Sequence, residues 1–185
     1  MTLSTCPSII FLQVRLPARV PLAQAAALAV AYGTAHVALS HRARLRPGHR
    51  VLVLGGAGGV GLAAVSIAKL LGARVAAVAT GADKLAAVRA AGAELAIETP
   101  TSPGGLRKAM AAWAPRGVDV VIDPIGGPLS AEAAKCMGWG GQLVVIGFLA
   151  GVPPLLPANA LLVKNQTIHG RAARNDDLPP SNDDI

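Results

Sequence analysis

The residues with the clearest chemical potential are five glycines within positions 55–61, in the run Gly-Gly-Ala-Gly-Gly-Val-Gly. A short apolar stretch typical of a buried strand precedes them, and an amphipathic helical pattern follows. Gly56 is expected to allow a tight turn, Gly58 to let the backbone approach a pyrophosphate, and Gly61 to let the helix pack close to the strand. Amides at the helix start, together with the helix dipole, would then attract phosphate groups. The segment therefore predicts a dinucleotide-binding turn, with contacts from Gly56, Ala57, Gly58, Gly59, Val60 and Gly61.

The glycines leave two alternatives open. They also fit Gly55-x-x-x-Gly59-x-Gly61, a spacing used by short-chain dehydrogenases, and a glycine turn can exist without any ligand. Short-chain dehydrogenases need a Tyr-x-x-x-Lys pair late in the fold. The single tyrosine, Tyr32, precedes the first predicted strand, and the fourth residue after it is His36. The tyrosine therefore favours the first spacing.

The end of the second predicted strand indicates which dinucleotide would bind. An acidic residue about 20 positions beyond the glycines would bind the ribose hydroxyls of NAD. Thr80 and Gly81 stand there instead, with no carboxylate to repel a 2′-phosphate. Lys84 follows one helical turn later, and it could contact that phosphate or be an ordinary solvated lysine. The prediction is NADPH, with Thr80 and Lys84 in the site and a preference over NADH of about ten- to a hundredfold.

The elements that would position this turn follow a regular rhythm. Short β-branched runs alternate with alanine-rich helical stretches, which is the pattern of βα units on a parallel sheet. Helix ends are predicted at Gly72 and Gly92, a helix start at Asp83 as N-cap, and a later helix at 130–137. The expected fold is a doubly wound α/β Rossmann fold with a six-stranded parallel sheet. The strands are placed at 51–54, 74–79, 94–97, 118–123, 142–147 and 166–169.

The length predicts one domain with two flanking segments. Residues 21–170 are assigned to the Rossmann domain, 1–20 to a short amino-terminal extension, and 171–185 to a disordered polar tail that can bury little. Positions 21–40 carry no formal charge, but polar side chains interrupt them. A partly buried helix is therefore favoured there over a membrane span.

Composition argues against several other functions. The net charge is +7, but the arginines between Arg42 and Arg50 are not interleaved with stacking aromatics, so nucleic-acid binding is a minor alternative. Cys6 and Cys136 are the only cysteines, too few for a disulfide framework or a four-thiolate zinc site. The cysteine content favours a reducing compartment. The predicted location is cytoplasmic, with a mitochondrial or plastid location as the alternative.

Several segments together resemble one known superfamily. They are the helix at 25–36, the glycine turn with the preceding Leu45-Arg-Pro-Gly48, the strand region 118–127, the glycine-led strand at 140–148, and the stretch 157–165. In combination they are similar to the medium-chain dehydrogenase/reductase superfamily, specifically its zeta-crystallin-like, zinc-independent quinone oxidoreductases. The resemblance covers about residues 14–170.

The resemblance implies an activity and further site residues. Hydride would pass from NADPH to a quinone or a conjugated carbonyl. Thr34 would lie near the nicotinamide, the backbone around Gly147 and Phe148 would line its pocket, and the last strand would pair across a homodimer. Thr34 could equally bond within its own helix, and Gly147 with Phe148 could form an ordinary strand end. Asp123 could cap the turn after its strand rather than lie beside a ligand.

The sequence also lacks several features of the superfamily, and these differences bear on its activity. Members of the superfamily carry a GroES-like catalytic domain that forms the other wall of the cleft, whereas only residues 1–50 precede the first predicted strand here. The two cysteines cannot supply the zinc ligands of the related alcohol dehydrogenases, so no metal is expected. Tyr32 and His36 are more typical of helix packing than of proton donors, and no catalytic residue is assigned. The expectation is a truncated form without the GroES-like domain, which binds NADPH but alone reduces quinones negligibly. The alternative is a non-catalytic dinucleotide-binding or dimerisation module.

Overall fold

A parallel sheet forms the centre of this computed structural model, which describes residues 20–156 and 158–170. Its strands are β1 Arg50–Val53, β2 Arg74–Ala79, β3 Leu95–Glu98, β4 Val118–Asp123, β5 Met137–Val145 and β6 Thr167–Gly170. Its helices are α1 Leu22–His36, α2 Gly59–Leu70, α3 Ala82–Ala90, α4 Gly105–Met110, α5 Gly127–Lys135 and α6 Ala158–Lys164. The sheet order is β3-β2-β1-β4-β5-β6 and every neighbouring pair is parallel, which confirms the predicted Rossmann fold. The predicted tail, and the predicted extension except for its last residue, lie outside the described residues.

Small apolar side chains allow both faces of the sheet to be covered. The strands β1, β2 and β4 consist largely of valine, leucine, isoleucine and alanine, as expected for strands with helices on both sides. Helices α1, α2 and α3 pack on one face, and α4 and α5 pack on the other. Because Ala63, Ala64 and Ala68 of α2 are fully buried and small, that helix lies close to the strands that end at the glycine turn.

The first helix continues into a π-helical turn. Residues Val37–Arg42 adopt this wider geometry directly after α1, and Ala38 and Leu39 within it are fully buried. The turn therefore anchors the carboxyl end of α1 against the core, where α1 packs on α2. In the described ranges, no helix combines the length and the apolar character needed to cross a membrane.

Two predicted helix starts are wrong, each for a local reason. The N-cap of α3 is Gly81, with a φ of 94°, and Asp83 lies in the first turn instead. Glycine tolerates this backbone conformation, whereas aspartate would be strained in it. Helix α5 begins three residues earlier than predicted, because Pro128 has a helical φ already and lies in its first turn. The helix ends predicted at Gly72 and Gly92 are confirmed by φ values of 78° and 113°.

The fifth strand begins five residues earlier than predicted. Met137 lies opposite Val118, but Gln142 already pairs with Val120. Residues 138–141, Gly-Trp-Gly-Gly, therefore bulge out of the ladder, and Trp139 is 76% exposed. A glycine-rich bulge has no alternating hydropathy, so periodicity could not reveal that the strand continues through it.

Candidate functional site

A cleft of about 360 Å³ opens at the carboxyl ends of β1, β2 and β4, where the order of the strands reverses. Four of the predicted site residues line it, namely Ala57, Gly58, Thr80 and Lys84. The other lining residues are Gly55, Ala79, Thr99, Ile125, Leu129 and Leu149. The structure therefore brings the glycine turn and the end of β2 together around one space.

The glycines of the turn have structural roles that differ in part from the predicted ones. Gly55, with a φ of 56°, is the residue in the left-handed region, so it allows the tight turn. Gly56 is needed for packing instead, since a Cβ there would lie 2.8 Å from the Cβ of Ala77 on β2. A Cβ on Gly61 would overlap the carbonyl oxygen of Gly55 and lie 2.8 Å from the Cα of Gly56. The predicted role of Gly61 in close helix packing is confirmed, whereas the turn-forming role assigned to Gly56 is wrong.

The start of α2 directly follows the cleft residue Gly58 and has backbone donors that find no acceptor in their own helix. Its N-cap is Gly58, and no side chain caps this end of the helix. The amides of Gly59, Val60 and Gly61 belong to the first turn, where no carbonyl of the same helix can accept them. A Cβ on Gly58 would have only the carbonyl oxygen of Gly55 nearby, at 3.4 Å, so the space above this glycine is open. A pyrophosphate fits this arrangement, since it needs donors and a close approach to the backbone.

A carboxylate that sequence reasoning missed lies beside the end of β2. Glu98, the last residue of β3, pairs in register with Ala79, and its two oxygens accept the Gly81 amide at 3.1 and 3.2 Å. The hydroxyls of Thr80 and Thr99 are hydrogen-bonded at 2.8 Å. No carboxylate follows β2 directly, but the neighbouring strand β3 supplies one beside Gly81, so the predicted absence of a carboxylate from this end of the site is wrong. The signal in the sequence was an acidic residue at the end of the third predicted strand.

The residues expected near the nicotinamide do not line the 360 Å³ cleft. Thr34 is buried in α1, and its backbone carbonyl accepts the amide of Val37. Gly147 follows β5, with its amide 3.4 Å from the carbonyl oxygen of Asp123, and Phe148 is half-exposed beside Gly126. Gly147 and Phe148 therefore lie at the carboxyl end of β4, while Thr34 lies on the helix that packs against α2.

Asp123 caps the turn after its strand, which is one of the two roles predicted for it. Its carboxylate is fully buried at the end of β4, where one oxygen accepts the amides of Ile125 and Gly126, both at 2.9 Å. The other oxygen accepts the hydroxyl of Ser130. The charge is therefore compensated by donors of the following turn and of α5, and it holds that turn closed.

No cysteine, histidine or tyrosine is among the described residues that line the cleft. Burial raises the pKa of the Cys136 thiol to about 11, so this cysteine is protonated and unreactive at neutral pH. His36 packs edge-on against His41, with ring centres 5.9 Å apart, and Tyr32 is partly exposed on α1. Within residues 20–156 and 158–170, no three His, Cys, Asp or Glu side chains are grouped so that they could hold a metal ion.

Comparison with known proteins reveals similar chains. A family model described as "Zinc-binding dehydrogenase" matches residues 59–183. Quinone oxidoreductase-like protein 2 of Mus musculus is 43% identical over 161 residues, which is 84% of this chain and 45% of that protein. The chain therefore spans less than half the length of this relative.

Two solved structures are similar in both fold and sequence. The quinone oxidoreductase from Thermus thermophilus, which was also solved in complex with NADPH, has a TM-score of 0.75 and 35% identity, over 86% of this chain and 50% of that chain. An NAD-dependent alcohol dehydrogenase has a TM-score of 0.70 and 31% identity, over 79% of this chain and 42% of that chain. The two neighbours are thus oxidoreductases whose descriptions name different nicotinamide dinucleotides.

Proposed function

The chain belongs to the zinc-binding dehydrogenase family and is a quinone oxidoreductase-like member of the medium-chain dehydrogenase/reductase superfamily. We therefore propose that it binds NADPH for hydride transfer to a quinone or a conjugated carbonyl. The observation that carries this proposal is the open start of α2 at the edge of the cleft. The amides without acceptors in α2 and the helix dipole attract the charge of a pyrophosphate, and Gly58, which has no side chain, leaves space for it.

The site residues divide between the two ends of the dinucleotide. The amides of Gly59, Val60 and Gly61 hold the pyrophosphate against the backbone of residues 56–58, while Thr80 and Lys84 contact the 2′-phosphate at the end of β2. The nicotinamide lies toward Thr34, Gly147 and Phe148. When bound, the cofactor supplies the hydride, and the protein contributes binding, orientation and shielding from water.

Calorimetry and a steady-state assay test the two halves of this proposal separately. We expect NADPH to bind more tightly than NADH, because the ammonium of Lys84 adds a charge-assisted contact to the 2′-phosphate. Equal affinities or tighter NADH would contradict the NADPH assignment, and absence of binding would overturn the proposal. Oxidation of NADPH with a simple quinone measures hydride transfer. Turnover at about 1 to 1,000 per second, as in ordinary enzymes, would support this half of the proposal and contradict the expectation that the chain alone reduces quinones negligibly.

A second candidate function is pairing with another copy of the chain. The strand β6 forms an edge of the sheet, and Leu162 and Val163 on the preceding α6 are 82% and 70% exposed. An edge strand that has only one neighbour within the described part of the chain, beside an apolar surface, favours strand pairing across a homodimer. Size-exclusion chromatography at several concentrations measures this, and a protein that is monomeric at every concentration would contradict it.

A further inference from the structure

Two opposite charges lie where the 2′-phosphate of a dinucleotide would bind. Lys84 lines the cleft one helical turn beyond the end of β2, and the Glu98 carboxylate accepts the amide of Gly81 at that end. Glu98 is exposed and forms no ion pair with any lysine or arginine of the described ranges. Its negative charge is therefore not cancelled by a direct partner among these residues.

The position of Glu98 matches a known requirement of the fold, displaced by one strand. In a Rossmann domain the acidic residue that accepts the ribose hydroxyls of NAD stands at the end of the second strand. Here Thr80 follows that strand, while Glu98 pairs with Ala79 across the β2–β3 ladder. Neighbouring strands are about 4.8 Å apart, so a glutamate side chain from β3 reaches the same region. Its two contacts with the Gly81 amide show that it does so.

The Gly81 contact also removes a donor from the site. A 2′-phosphate binds best where amides, hydroxyls and cations converge on it. The amide of Gly81 is instead taken by a carboxylate, and the hydroxyls of Thr80 and Thr99 are bonded to each other. The ammonium of Lys84 attracts the phosphate, while the Glu98 carboxylate repels it and can accept a ribose hydroxyl.

We infer that Glu98 is a specificity-determining residue, which opposes Lys84 and lets NADH compete with NADPH for the same cleft. The inference rests on the proposed function, since it concerns the choice of cofactor in that site. The preference for NADPH is thus set by the balance between Lys84 and the carboxylates around it, with Glu98 beside Gly81 and Asp83 in the first turn of α3, rather than by the lysine alone.

The test compares the ratio of the dissociation constants of NADH and NADPH, measured by calorimetry on the full chain at low ionic strength. Glu98→Gln keeps an acceptor for the Gly81 amide but removes the charge, and we expect the ratio to rise about tenfold. Lys84→Ala is expected to lower it about tenfold. Glu94→Gln is the matched control, because it removes a carboxylate bonded to Arg74 at the opposite end of β3, and it leaves the ratio unchanged.

The outcomes separate the inference from the proposed function. If wild-type protein binds both dinucleotides and Glu98→Gln leaves the ratio unchanged or lowers it, the inference alone is overturned. If wild-type protein binds neither, the proposed function fails and the inference fails with it. A purely structural role for Glu98 would weaken NADH and NADPH equally. A rise in the ratio that shrinks as salt screens the charge supports the inference.

Discussion

Two turns at the same edge of the sheet differ in whether their backbone amides find acceptors within the protein. The first turn, residues 54–58, connects β1 to α2, and the second turn, residues 124–126, connects β4 to α5. In the second turn the buried Asp123 carboxylate accepts two amides, and the next amide donates to the carbonyl of Val152. Pro128 follows and has no amide hydrogen. The second turn is therefore closed by the protein itself.

The first turn has no carboxylate, and its helix begins without a side-chain cap. Gly56 donates to the carbonyl of Val78 and Gly58 to that of Gly55, but the amides of the first helical turn lack acceptors within α2. A donor without a protein partner must bind water or a ligand. An anionic cofactor is therefore expected to bind at the first turn and not at the second. Asp123 would repel it from the second, while the helix dipole attracts it to the first.

Removing the carboxylate that closes the second turn should have the largest effect. Asp123→Ala leaves two amides and the Ser130 hydroxyl without their acceptor, and we expect the free energy of unfolding to fall by about 4 kcal/mol. Urea unfolding followed by circular dichroism measures the change. Ser130→Ala is the control, since it removes only one of the three donors to the carboxylate and should cost about 2 kcal/mol. Equal losses in the two variants would show that Asp123 does not hold the turn.

The first turn should be sensitive to a single methyl group at the point where the helix meets it. Gly61→Ala places a Cβ against the backbone of Gly55 and Gly56, which cannot move without opening the turn. We expect the free energy of unfolding to fall by about 3 kcal/mol. Gly59→Ala, two residues earlier, is the matched control because its nearest neighbour is the Cβ of Ala31 at 4.0 Å. Unfolding midpoints that fall equally for both variants would contradict the close approach at Gly61.

A change in the open space of the first turn should abolish binding and leave the fold intact. Gly58 has a φ of −75°, which other residues adopt, and its added Cβ would make only an ordinary contact. Gly58→Val should therefore fold, but weaken NADPH and NADH by at least about a hundredfold, roughly 2.7 kcal/mol, because the side chain fills the space of the pyrophosphate. Calorimetry measures the dinucleotide affinity of the variant, and thermal unfolding measures its stability.

The matched control for the Gly58 variant is Gly170→Val, which adds the same side chain where no atom of the described residues lies within 4 Å of the new Cβ. It is expected to leave dinucleotide affinity unchanged. Full affinity in the Gly58 variant would place the pyrophosphate elsewhere, and loss of both folding and binding would show that Gly58 has a packing role.

The sequence alone was sufficient for the features that depend on local patterns. The alternation of β-branched and alanine-rich segments predicted six parallel strands, and left-handed glycines predicted the helix ends at Gly72 and Gly92. The glycine spacing after the first strand marked a turn that lines a cleft, and Thr80 and Lys84, placed at the end of β2, line the same cleft. Each of these depends on residues within one βα unit.

The tertiary structure decided what depends on contacts between units. Gly55 takes the left-handed conformation, and Gly56 packs on Ala77 because the approach of β1 to β2 leaves no space there for a Cβ. Glu98 reaches Gly81 across 17 positions of sequence only because the register pairs it with Ala79. Hydropathy periodicity describes one segment at a time, whereas register is a property of two strands together. For this reason the sequence could place Glu98 at the end of the third strand, but only the assembled sheet places it beside Gly81.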